Sequence, residues 1–133
     1  MNIALLILRL SLGVIFLVHG HSKFKMWNPP SAPSGGGGGT PQMPVSMLRI
    51  MKFLSVTETL GGIALILGFM TPFAAGGVGL IMIGAIYMKI TKWHTPFSTT
   101  TQTGWEFDLI NLAAAFVLVM LGPGQIALDF IIR

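Results

Sequence analysis

Residues 72–88 read PFAAGGVGLIMIGAIYM, a run of 17 positions with no charged side chain. Such a run approaches the roughly 20 residues needed to cross a bilayer's hydrocarbon at about 1.5 Å per residue. Tyr87 stands near its end, where an amphipathic ring suits the membrane–water boundary. The stretch reads as a transmembrane helix, and three others of similar length line up with it. Residues 3–20, IALLILRLSLGVIFLVHG, are interrupted only by Arg9. Residues 51–70, MKFLSVTETLGGIALILGFM, carry Lys52 at the start and Glu58 inside, and residues 105–122, WEFDLINLAAAFVLVMLG, open on Trp105, Glu106 and Asp108 and then turn apolar. Acidic residues at that position also suit a helix N-terminus.

The composition agrees with the spans. Of 133 residues, 53% are hydrophobic and 9% charged, with a mean hydropathy of +0.78, too little polar surface to cover a water-soluble domain. Zero cysteines exclude disulfides, thiolate metal sites and thiol redox relays. The net charge of +4 would suggest nucleic acid in a soluble protein, whereas here it points to basic loops beside the membrane. The expected fold is therefore all-α, a four-helix integral membrane bundle forming a single domain over 1–133.

Between the first two spans, PPSAPSGGGGGTPQMP (29–44) combines prolines with five consecutive glycines and reads as a flexible linker. No GK[ST] follows and no strand precedes it, so a phosphate-cradling loop is rejected. Thr71-Pro72 is read as the hairpin between spans two and three, and Gly122-Pro123-Gly124 as the stop of the fourth before a short apolar tail. The first stretch lacks a basic n-region, has Arg9 within its apolar run and is followed by no A-x-A site, so it reads as a span rather than a signal peptide. We call side A the side holding loops 21–46 and 89–104, and side B the side holding both termini. Side A carries Lys23, Lys25, Arg49, Lys52, Lys89 and Lys92 and side B only Arg133, which places side A in the cytoplasm.

Two sets of polar residues stand out. Arg9 costs a few kcal/mol within a span and shares a helix face with Gly13, Phe16 and Gly20, a face expected to meet another helix. Glu58 is the carboxylate well inside the second span, so Arg9 and Glu58 are expected to pair across helices one and two, either as a structural lock or as a functional site. At the side A boundary, His19 and Lys23 lie one turn apart, His21 is near, and Glu106 and Asp108 open the fourth span at the same level. A polar pocket of His19, Lys23, Glu106 and Asp108 over an apolar floor would suit a quinone head group, whose carbonyls need donors and whose reduction needs protons. Ordinary enrichment of polar residues in the headgroup zone explains the same residues without chemistry. His19-x-His21 does not place two ligands on one helix face and His94 stands apart, so no metal is assigned, and the nine methionines read as packing filler.

The segments LRLSLGVIFLVHGHSKF, GGIALILGFMTPFAA and GWEFDLINLAAAFVLVMLGPG, with the closing LD, resemble the DoxX family of small bacterial membrane proteins. The set Arg9, His19-Gly20, Lys23, Glu58, Gly61-Gly62, Glu106 and Gly122-Pro123-Gly124 carries the resemblance over nearly the whole chain. It implies a four-helix bundle in the bacterial inner membrane and a link to quinol oxidase and thiosulfate–quinone oxidoreductase complexes. Many members have no assigned reaction, and no catalytic residue transfers. The 29–44 loop is longer than is usual in the family.

Two functions are carried forward. One is a quinone-interacting or accessory subunit of a membrane redox system, working with a redox partner protein because no haem, flavin or thiol motif marks an electron carrier in this chain. The other is a structural or assembly subunit that docks through small-residue faces, with Ala75 and Gly79 allowing close helix packing, in complexes or as a homo-oligomer. A transporter is disfavoured by the narrow path four helices leave and by the lack of a visible inverted repeat. The topology is checked by reporters fused after residue 133 and within the Gly-rich loop, which should report opposite compartments; agreement between them would sink the four-span arrangement.

Overall fold

The computed structural model describes residues 2–24, 45–98, 100–101 and 103–132; of Met47 only the backbone is described. The linker 29–44 lies outside the described residues. Helices α1 (Asn2–Phe24), α2 (Val45–Leu67), α3 (Thr71–Thr91) and α4 (Trp105–Leu121) are followed by a single turn, α5 (Leu128–Ile131), and the described residues contain no strand. The segments Asn2–Phe24, Leu48–Leu67 and Thr71–Thr91 are long and apolar enough to cross a membrane. The 17 residues of α4 lie at the short end of the spanning range of about 17–25. Its outer face is apolar too, with Ile110, Phe116 and Met120 each more than 60% exposed.

α1 packs chiefly on α2 and α3 on α4, while α2–α3 and α1–α4 contacts close the bundle. A core of Leu5, Leu12, Phe16, Leu65, Ala75, Val78, Met82, Ala115 and Leu118 runs along its axis. Buried among these are Arg9, Ser55, Glu58, Thr71, Asp108 and Asn111. Apolar side chains cover the outside and charges lie within, as expected of a protein whose solvent is lipid.

The α1–α2 contact is close enough to bring backbone against backbone. A Cβ at Gly13 would stand 2.8 Å from the Gly62 carbonyl oxygen and 2.6 Å from Ile66 Cγ1, and one at Gly62 would stand 2.7 Å from the Gly13 oxygen. Toward side A, Gly20 lies against Ser55 and Thr59, and Ser55 Oγ donates to the Gly20 carbonyl at 3.0 Å. Without a hydrophobic force between helices in lipid, such small-residue packing and interhelical hydrogen bonds hold the pair. The expected shared face of Arg9, Gly13, Phe16 and Gly20 is buried throughout.

Several boundaries differ from the sequence reading: α1 runs on to Phe24 and α3 to Thr91, past the ends of their apolar runs at 20 and 88. α2 begins at Val45 rather than near 51, because VSMLRI continues the helix before the apolar run starts. The hairpin is made by Gly68-Phe69-Met70, with Gly68 and Met70 at positive φ, while Thr71-Pro72 opens α3, where proline's missing N–H costs nothing. The tail beyond Gly122 folds back on the bundle, and Ala127 is buried.

The glycines separate by role. Replacing Gly62 by Leu should cost at least the ~1–3 kcal/mol of overpacking and shift thermal unfolding in detergent well downward, because the neighbouring atoms are backbone. Gly77→Ala, where a Cβ meets nothing, should leave the transition nearly unchanged.

Candidate functional site

The antiparallel register of α1 and α2 decides where each charge lies. Gly13 faces Gly62 and Ile66, and Gly20 faces Ser55 and Thr59, so stepping along both helices brings Arg9 level with Gly68 and Glu58 level with His19. The expected Arg9–Glu58 pair is therefore not formed. At about 1.5 Å per residue the two stand roughly 15 Å apart along the bundle, beyond the reach of an arginine side chain.

Glu58 pairs with Lys23. Lys23 Nζ lies 2.5 Å from Glu58 Oε1, with the two side chains 23% and 3% exposed. Glu58 Oε2 is buried without a hydrogen-bond partner. The Lys23 side chain keeps part of its surface exposed while Glu58 is buried, so the pair joins the edge of the bundle to its interior.

The other side A residues take separate partners. Asp108, 6% exposed, is paired with Lys89, whose Nζ lies 2.7 Å from Oδ2 and also donates to the Gly104 carbonyl at 3.2 Å. Glu106 accepts from Ser98 Oγ at 2.9 Å and faces the 92–104 connection. His19 stacks on Phe107 with ring centroids 5.6 Å apart, and its Nδ1 meets the Ile15 carbonyl at 2.9 Å. Thus His19, Lys23, Glu58 and Asp108 occupy one layer of the bundle, with His19 and Phe107 joining α1 to α4, while Glu106 turns outward. The sequence reading puts Lys89 in the 89–104 loop; it lies in the last turn of α3, and only the tertiary contact shows it meeting Asp108. Among the described residues no three His, Asp or Glu side chains gather as a metal ion would require.

Arg9 has its partners at side B. Its side chain is 1% exposed, Nη2 donates to the Ile126 carbonyl, and Nε and Nη1 have no hydrogen-bond acceptor. The guanidinium lies against Gly68, where any side chain would collide with it and where φ is +69°. Asp129, the carboxylate whose charge acts on Arg9, accepts from Met70 N at 2.6 Å and Thr71 N at 2.8 Å. α3 has no side-chain cap of its own, so the tail supplies one from almost 60 residues away in sequence. Asp129 N donates in return to the Gly68 carbonyl at 2.9 Å, and Asn2 Nδ2 donates to Gln125 Oε1 at 2.8 Å. Desolvation pushes the Asp129 carboxyl up, but the backbone N–H groups of Thr71 and Met70 and the Arg9 charge outweigh it and hold the group below its ordinary value.

The architecture is that of a small multi-pass helical membrane protein with two ion pairs at one end and a buried arginine near a carboxylate at the other. The DoxX family profile matches residues 4–91, and the chain belongs to the DoxX family. It is 31% identical over 131 residues to a Bacillus subtilis (strain 168) protein named "Putative oxidoreductase CatD", covering 96% of this chain and 86% of that one. No solved structure matches it.

Double-mutant cycles follow from this geometry. Lys23 and Glu58 should couple by about 0.5–3 kcal/mol, whereas Arg9 and Glu58 should add within about 0.3–0.5 kcal/mol. Coupling of the second pair and none of the first, measured by unfolding in detergent, would reverse the assignment. Because Asp129 is depressed in the fold, its contribution to stability is complete above the unfolded carboxyl value of about 3.9 and is lost as pH falls through the lower folded value. Thermal unfolding between neutral pH and about pH 3 should therefore show an acid-side loss that Asp129→Asn diminishes.

Proposed function

We propose that this chain is a quinone-interacting subunit of a redox system in the bacterial inner membrane, exchanging protons with the ligand at the side A layer while a partner redox protein exchanges electrons. The observation that carries the reading is the Lys23–Glu58 pair, a buried carboxylate held by lysine with one oxygen unpartnered. Ionisable residues inside a membrane are costly and mark functional sites by default. A carboxylate paired with a lysine ammonium, with His19 at the same level of α1, supplies the kinds of group a quinone head group needs as carbonyls become hydroxyls.

A groove of about 340 Å³ between α2 and α3 supports the same reading. It runs from Thr57 past Leu60, Gly61 and Ala64 to Phe73 and Gly77 and is almost wholly apolar; Glu58, one residue on from Thr57, faces Lys23 of α1 and does not line it. An isoprenoid tail would lie along it with the head group at the Thr57 end. Reduction of a bound quinone takes two electrons from the partner and two protons; Glu58 and His19 relay the protons, and Lys23 steadies the developing negative charge on the ring oxygen. The relative's name, an oxidoreductase, is consistent with such a system.

The open face of α3 favours a second reading, an assembly subunit without chemistry of its own. A Cβ at Gly76, Gly77 or Gly84 meets nothing, which leaves room for a neighbouring helix to approach.

Purification in mild detergent followed by analysis of bound quinone, and titration with a short-chain quinone, separates the readings. The wild-type chain should carry and rebind quinone, and Glu58→Gln should weaken binding about tenfold or more, the worth of a charge-assisted hydrogen bond. A stable protein partner with neither bound quinone nor a response to added quinone would leave the assembly reading standing.

A further inference from the structure

The side B end of the bundle holds a cleft of about 480 Å³ whose polar edge is Asn2, Gln125 and Asp129. Its walls include Phe73, Leu121 and Phe130, which are 75%, 55% and 57% exposed and open toward the hydrocarbon edge. Met70 and Phe73 also border the groove between α2 and α3, so an apolar chain entering the cleft has a path along the outside of the bundle.

Opposite charges bracket the polar edge. Asp129 lines the cleft directly, and although each carboxylate oxygen accepts one backbone N–H, each keeps a second lone-pair position. Arg9 lies behind the edge, one helical turn beyond Leu5 of the cleft wall, and its bond to the Ile126 carbonyl places it next to Gln125. Two of its nitrogens lack an acceptor, so its charge is incompletely met from within the fold. A simple anion in the cleft would face Asp129, and a simple cation would have Arg9 behind it. A head group bearing both signs a few ångströms apart satisfies both.

We propose that this cleft binds one zwitterionic phospholipid with a primary ammonium head group. The ammonium meets the free lone pairs of Asp129. The phosphodiester lies toward the Asn2 and Gln125 amides and the positive field of Arg9, and the acyl chains cover Phe73, Leu121 and Phe130. A primary ammonium donates hydrogen bonds that a quaternary choline cannot, and its charge cancels the repulsion that a purely anionic lipid would meet. The site is at the opposite end of the bundle from the proposed quinone layer and does not depend on it.

Native mass spectrometry of the full chain in detergent, with phosphatidylethanolamine, phosphatidylcholine and phosphatidylglycerol of matched acyl chains added at equal concentration, tests the assignment. One ethanolamine lipid should be retained with about tenfold preference over each of the others, the worth of one charge-assisted hydrogen bond. Asp129→Asn should abolish the preference. Leu121→Trp, which fills the cleft from an exposed position without touching the tail's hydrogen bonds, should lower retention of all three lipids and keeps the test decisive if the Asn variant does not fold. Equal retention of the three lipids by the wild-type chain, a preference for the anionic lipid, a folded Asp129→Asn variant that still selects ethanolamine, or unchanged retention in Leu121→Trp would each overturn the proposal.

Discussion

The backbone contact between α1 and α2 at Gly13 and Gly62 sets the rest of the structure. In lipid, two helices gain little from hiding apolar side chains, because the tails outside are as apolar as the partner. They gain from close packing, and the closest packing available here is carbonyl against glycine, seen in both directions across the seam. Once Gly13 and Gly62 are in contact, the antiparallel register has no freedom left. Ser55 then meets the Gly20 carbonyl, Glu58 arrives within reach of Lys23, and the Gly68 turn is delivered to Arg9.

That register sets each buried charge against groups from its own end of the bundle. Glu58 is met by a lysine at the end of α1 and Asp108 by a lysine at the end of α3, while Arg9 donates to a carbonyl of the tail beyond α4 and lies in the field of Asp129 without forming an ion pair. Bringing a charge to a partner near the headgroup zone leaves part of the pair wet, as the 23% exposure of the Lys23 side chain shows, and avoids the full desolvation of a mid-membrane pair. Asp129 does two things in the same place: it sets its charge against Arg9 and supplies the acceptor that the N-terminus of α3 lacks. The tail therefore ties the first helix and the third to the end of the chain, closing the bundle at side B.

The helices were legible in the sequence because apolar length and Gly/Pro punctuation are local signals, and so were Arg9 and Glu58 as charges needing partners. The pairing was not legible. Register between helices is a tertiary property, and the six residues by which α2 begins early do not show in an apolar-run count, since Val45–Ile50 mixes Arg49 with Val, Met and Leu. Opposite charges inside the first two apolar runs point to an Arg9–Glu58 pair, and the glycine contacts set the two about 15 Å apart along the axis. Asp129 drew notice only through the closing LD of the family resemblance. A four-residue helix after a Gly-Pro-Gly stop has no pattern of its own to announce that it folds back, and with Arg9 assigned to Glu58 nothing in the sequence asked for a further acceptor.

The two ends also differ in what their charges can do. The side A layer is built from lysine, histidine and carboxylates, with Lys23 on Glu58 and Lys89 on Asp108. Side B relies on arginine, which keeps its proton in any protein setting, and on a carboxylate held below its ordinary value by backbone N–H groups and that arginine. The Arg9 end therefore serves to tie the chain's own tail to the bundle, whereas at the Lys23–Glu58 end one carboxylate oxygen is buried without a partner. The α1–α2 glycine contact holds these two unlike ends at a constant separation.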